Sequence, residues 1–200
     1  MKLGLVPLVL VAGALALPLQ LSVSEPAAAA DYVIDTKGAH ASITLRISHL
    51  GFSWVTGRFD HFSGTISFDE KSPAASKVKV EIDTESFNSN QAERDKHVRS
   101  DAFLDVAKFP NATFESTAVK MAGDSKATIV GNLTLHGVTK EIAIEAEHVG
   151  GGADPWGGVR QGFAGTTKLT LADYGIDPSG HLGPTAKEVE LTLNIEGLKQ

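Results

Sequence analysis

The densest grouping of chemically capable side chains in the sequence is Arg94, Asp95 and His97. An aspartate can orient a histidine for proton transfer and an arginine can hold an anion, so the trio has the composition of a small hydrolytic or isomerising site. Its spacing argues against that use, because adjacent positions on a helix do not share a face. The better-supported reading is a solvated or capping helix whose polar side chains brace an opening; if Arg94 and His97 touch a ligand, their role is contact with its polar head group. Seven histidines, His40, His49, His61, His97, His136, His148 and His181, invite a metal, but no pair stands as H-x-H or H-E-x-x-H. His136 precedes Gly137, where a turn accounts for it. The chain has no cysteine, which removes disulfides, thiolate nucleophiles, iron–sulfur clusters and thiolate zinc together. There is no G-x-S-x-G elbow, and the glycine runs do not join a strand to a helix as a dinucleotide site requires. No catalytic residue, metal or cofactor is assigned; the remaining chemistry is binding.

The elements that must position such a site are strands. Ile43, Leu45 and Ile47 alternate with polar residues, as do Ile66 and Phe68, and Val78, Val80 and Ile82. The pattern returns in Thr113 to Met121, in Ile129, Leu133 and Leu135, in Ile142 and Ile144, in Leu169 and Leu171, and in Leu191, Leu193 and Ile195. Period-two alternation predicts strands with one wet face. About eight result, with connections marked by Gly57, Gly64, Gly123 and Gly137 and no helices between them of the kind a parallel sheet needs. One stretch departs from the pattern. Residues 86–106 lack alternation, offer Asn88 as an N-cap with Gln91 three residues on, and place Asp95 and Arg99 as an i,i+4 pair; they predict one short helix over about 89–100, packed on the sheet. Two long loops are expected, over the five glycines of Gly150 to Gly158 and over Asp177 to Pro184.

The N-terminus reads as an export signal. Lys2 precedes an apolar run from Leu3 to Leu21, and Ala28 and Ala30 complete an A-x-A site, so cleavage between Ala30 and Asp31 leaves a domain of about 170 residues. Pro7 and Pro18 speak against the same run persisting as a stable membrane span. A periplasmic location is expected. Asn111-Ala-Thr113 and Asn132-Leu-Thr134 match the glycosylation sequon, which counts only in a eukaryotic secretory pathway. Lys plus Arg total 18 against 24 Asp plus Glu, a net charge of −6 that Lys2 and Glu25 leave with the leader unchanged. That balance disfavours nucleic acid as a partner.

An all-antiparallel domain removes its two exposed edges by closing, and eight strands enclose an interior that is either filled or wide enough for one small ligand. The alternating faces here are rich in Ile, Leu and Val, and the chain has only two Trp and two Tyr. Aliphatic walls without bulky plugs favour a cavity over a filled structural barrel. The candidate wall is Ile43, Leu45, Ile47, Phe68, Val80, Ile82, Phe114, Leu133, Leu135, Ile144, Leu169 and Leu193. A lipid-modifying enzyme around His97 and Asp95 is one alternative. Another is an interaction module whose outer surface docks a membrane redox or stress-response partner. A homodimer through an exposed barrel side is compatible with either.

Several blocks together carry a family resemblance. Asp31-Tyr-Val-Ile-Asp35 with His40-Ala-Ser-Ile-Thr-Leu-Arg-Ile-Ser-His49, and Val55-Thr-Gly-Arg-Phe59 after it, resemble the opening of the YceI-like polyisoprenoid-binding proteins. Arg94 to Asp105, Phe109-Pro-Asn-Ala-Thr-Phe-Glu-Ser116 and Gly131-Asn-Leu-Thr-Leu-His-Gly-Val-Thr-Lys140 follow in the family's order. The chain departs at Ala172, where the family usually carries a basic residue before Asp-Tyr-Gly. The resemblance implies an eight-stranded lipocalin-like barrel, a long narrow pore for an isoprenoid chain or another long amphiphile, and secretion to the periplasm.

Overall fold

A computed structural model describes residues 29–200; the expected leader lies outside the described residues apart from Ala29 and Ala30. The alternating runs form strands β1 (Ala30–Ile34), β2 (Ser42–His49), β3 (Ser53–Phe59), β4 (Phe62–Phe68), β5 (Lys77–Asp83) and β6 (Phe87–Asn88). After α1 (Ala92–Arg99) come β7 (Asn111–Met121), β8 (Lys126–Leu135), β9 (Val138–Ala153) and β10 (Val159–Thr170), then α2 (Ser179–Leu182) and β11 (Glu188–Lys199). In β5 the alternation is literal: Val78, Val80 and Ile82 turn inward while Lys77, Lys79 and Glu81 stay exposed.

Eleven segments make eight barrel strands. β1 and β2 run in line against one edge of β11, Ile34 opposite Gly197 and Ser42 opposite Asn194. The residues between them bulge outward. β3 and β4 likewise form one interrupted strand, pairing β2 and β1 respectively, and β5 and β6 form a third, pairing β4 and β3. β7 to β11 then follow as a meander, each antiparallel to the last, and β11 returns to β1 and closes the ring. The β1–β11 pairing closes the ring, leaving only the two-residue β6, which pairs β3 alone, and the start of β3 without a second neighbour; burying one face of each strand supplies the stability that disulfides cannot, about 1.5–3 kcal/mol for each fully covered Ile, Leu or Phe.

Expected punctuation is partly relocated. His136 and Gly137, at φ 50° and 74°, form the tight β8–β9 turn, the conformation that matches strand twist. Gly57 and Gly64 instead lie inside β3 and β4, where a Cβ at residue 57 would strike the Phe87 ring at 2.8 Å. The glycine-rich stretch expected as a long loop is mostly strand: β9 runs through Gly150, Gly151 and Gly152, and only residues 154–158 turn. The second expected loop contains α2.

The two ends of the barrel differ. One carries the β2–β3 turn, α1 and its following coil, the β8–β9 turn and residues 171–187; we call it the lid end. The β4–β5, β7–β8 and β9–β10 connections lie at the other, the mouth end. No helix among the described residues is long and apolar enough to cross a membrane.

Candidate ligand-binding site

The inward faces do not fill the barrel. A wide chamber of about 320 Å³ runs toward the mouth end, where Glu70, Pro73 and Ser76 of the β4–β5 connection and Asp124 and Ser125 of the β7–β8 turn join its lining. A second chamber of about 190 Å³, apolar throughout, lies beneath α1 and α2. They adjoin at Ile43, Ile82, Leu133 and Leu191, which line both. Small inward residues keep the space open: Ala127, Ala146 and Gly165 in the wide chamber, Ala112 in the inner one.

Every residue of the candidate wall, with Arg94 and His97, borders this space, whereas Asp95 does not. Phe68, Val80, Phe114, Ile144 and Leu193 line the wide chamber, and Leu45, Ile47, Leu135, Leu169, Arg94 and His97 the inner one. Sequence reasoning passed over Ile34, Val119, Met121 and Phe163 in the wide chamber and Phe87, Phe103 and Leu182 in the inner one. Val119 and Met121 lie beyond a register shift at Ser116 to Ala118 that resets the alternation, so pattern alone gives the wrong face there.

The lid end is built from polar contacts that close it. α1 begins at Ala92 rather than 89, and its N-cap is Gln91, whose side chain accepts from the Arg94 N–H; Asn88 caps Asn90 instead. The expected Asp95–Arg99 ion pair does not form. The buried Asp95 carboxylate accepts from the backbone N–H of Ser89 at 2.8 Å and from its hydroxyl, and Arg99 donates to the Asp95 carbonyl. Arg94 donates through Nε to Ser89 Oγ at 2.6 Å and through Nη2 to Ser89 O at 2.9 Å. Asp95 therefore orients Ser89, not His97. The His97 ring packs edge-on against Phe103 and His181, with centroids 5.1 and 4.6 Å away, and these rings cover the inner chamber.

The mouth end holds a different polar chain. Gln161, almost fully buried, donates to Glu70 Oε1 at 2.8 Å and meets His148 Nε2 through its Oε1 at 2.6 Å. The His148 ring packs against Phe68 and Phe163, at 5.1 and 5.3 Å, and these two rings also meet each other at 5.2 Å. Ser76 Oγ, buried in the same lining, has no hydrogen-bond partner among the described residues.

Asp35, His40 and Glu196 gather within the reach of one metal ion on the outer wall. A guanidinium already supplies the positive charge there: Arg160 Nη1 lies 2.6 Å from both Asp35 and Glu196, and its Nε 2.7 Å from Asp154. Arg160 holds the Asp35 carboxyl far below the usual carboxylate range, helped by the Gly38 N–H and His40. The cluster ties the β1–β2 bulge to β10 and β11.

A closed antiparallel barrel around an open, largely aliphatic lumen is an architecture suited to binding a small apolar ligand. Residues 32–197 match the YceI-like domain family, and the chain belongs to it. A UPF0312 protein of Pseudomonas aeruginosa is 57% identical over 187 residues, covering 94% of this chain and 96% of that one. The crystal structure of a Campylobacter jejuni YCEI protein superposes with a TM-score of 0.69 at 29% identity, over 77% of this chain and 90% of that one. A polyisoprenoid-binding domain from Saccharophagus degradans shares the fold, with a TM-score of 0.63 at 17% identity over 86% and 99% of the two chains.

Proposed function

We propose that this protein binds a polyisoprenoid or another long-chain amphiphilic lipid in its barrel lumen. On this reading it is a non-catalytic transport or storage protein that works in the periplasm after losing residues 1–30. The observation that carries the reading is the lumen: two adjoining apolar chambers, enclosed by strands and lined by aliphatic side chains, that the protein's own atoms leave open. A dry tube needs no metal or cofactor to bind a chain. At about 0.8 kcal/mol per buried methylene, ten methylenes contribute roughly 8 kcal/mol before ordering costs. Family membership and the polyisoprenoid-binding neighbour from Saccharophagus degradans support the same choice. The alternative of a lipid-modifying enzyme at the lid end loses its motive, because Asp95 is engaged by Ser89 and not by His97.

The test is direct. The mature chain, purified from a bacterial periplasmic fraction and extracted with organic solvent, is expected to release about one long-chain amphiphile per protein by mass spectrometry. A chain that comes away empty and takes up no C20 isoprenoid from detergent refutes the proposal.

A further inference from the structure

The wide chamber has a polar end of definite character. Glu70, Asp124 and Glu147, all exposed, line it together with His148, Ser76 and Ser125, and no lysine or arginine does. A phosphate or diphosphate brought to this rim meets acidic side chains in the lining itself, while the nearest lysines, Lys71 beside Glu70 and Lys126 across from Glu147, lie outside that lining. The hydrogen-bond chain behind the rim fixes what the site offers instead. The Glu70 carboxylate can only accept, so the Gln161 amide donates to it and turns its carbonyl oxygen toward His148. That oxygen requires a proton on His148 Nε2. In the uncharged ring Nδ1 is then a lone-pair acceptor, and no hydrogen bond to it is present among the described residues. Ser76 Oγ, buried and unpartnered in the same wall, adds a group that can donate or accept.

From this arrangement, and resting on the lipid-binding reading above, we infer that the mouth end selects an uncharged, hydroxyl-bearing head group, a long-chain isoprenoid alcohol rather than its phosphate ester. The alcohol O–H donates to His148 Nδ1, and the tail runs past the waist into the inner chamber; Ser76 Oγ is a further unpartnered polar atom in the same lining. The head group lies at the end opposite Arg94 and His97. The guanidinium there is already engaged: two of its nitrogens serve Ser89.

Delipidated protein titrated at low salt with geranylgeraniol and with geranylgeranyl phosphate separates the possibilities, since the two share one tail. The alcohol is expected to bind at least about tenfold more tightly, the scale on which unscreened like charges oppose one another. His148→Phe, which keeps an aromatic ring in the cluster with Phe68 and Phe163, should weaken the alcohol and spare the corresponding hydrocarbon. Asp124→Lys, at an exposed turn remote from Gln161 hydrogen bonding, should raise affinity for the phosphate several-fold. Phosphate binding equal to or tighter than the alcohol overturns the inference while leaving the carrier reading standing, and its loss in Arg94→Gln would move the head group to the lid end. Failure of both probes overturns the carrier reading and the inference with it.

Discussion

The side chain of Gln161 lies directly over Gly151 on the neighbouring strand, so close that a Cβ at residue 151 would overlap its terminal amide. The glycine is a seat for a buried polar group whose two partners, His148 and Glu70, hold β9, β10 and the β4–β5 connection together at the mouth. Gly151→Ala should displace Gln161, leave its amide unsatisfied and cost about 1–3 kcal/mol by urea denaturation. In a Gln161→Ala background the same change should cost far less. Equal costs in the two backgrounds would show that the glycine serves something other than Gln161.

At the lid end the decisive residue is Ser89, which receives Arg94 and donates twice to Asp95. Ser89→Ala removes one donor from a buried carboxylate and should destabilise the protein by about 1–3 kcal/mol. It should also speed amide exchange across α1. Arg99→Ala, which removes hydrogen bonds to the Asp95 and Glu85 carbonyls but takes no donor from the buried carboxylate, should cost less, about 1 kcal/mol. If Arg99 proved the costlier change, Asp95 would be paired as the sequence spacing suggested.

That comparison marks where the sequence was legible. Barrel closure and the wall residues were readable because side-chain direction repeats every two residues; Ile43, Leu45 and Ile47 could be placed from their spacing alone. Three kinds of information were not. A bulge at Ser116 to Ala118 changes the face of everything after it, and the spacing of Val119 and Met121 does not announce it. The role of Gly151 depends on a partner ten residues away on another strand. Asp95 satisfies both an i,i+4 pairing rule and a buried contact with Ser89, and only packing decides which of them forms.

The waist at Ile43, Ile82, Leu133 and Leu191 yields a prediction about chain length. Leu191→Trp should obstruct the passage and confine a ligand to the wide chamber. Short isoprenoids should retain most of their affinity. Longer chains should stop gaining the increment of about 0.8 kcal/mol per methylene expected for an open tube. Affinities measured across a series of chain lengths give the slope directly; an unchanged slope would mean that the tail does not cross the waist.

The Arg160 cluster sets the response to acid. Arg160 lowers Asp35 first, with the Gly38 N–H and His40 contributing, and lowers Asp154 together with the Gly158 N–H. Both carboxylates are thus depressed in the folded state relative to an unfolded value near 4. A group of this kind contributes its stability fully above the unfolded value and loses it as pH falls toward the folded one, because the unfolded chain then binds protons that the folded chain refuses. Stability should therefore be nearly flat through neutral pH and decline below about pH 4. Arg160→Gln should lower stability at pH 7 and flatten that decline. A smaller slope should remain from Asp60, which Asn88 and Arg58 lower, and from Glu190, which Arg46 and Lys168 lower. Urea midpoints at a series of pH values for the two proteins provide the comparison, and curves that stay parallel down to pH 3 would remove Arg160 from the account.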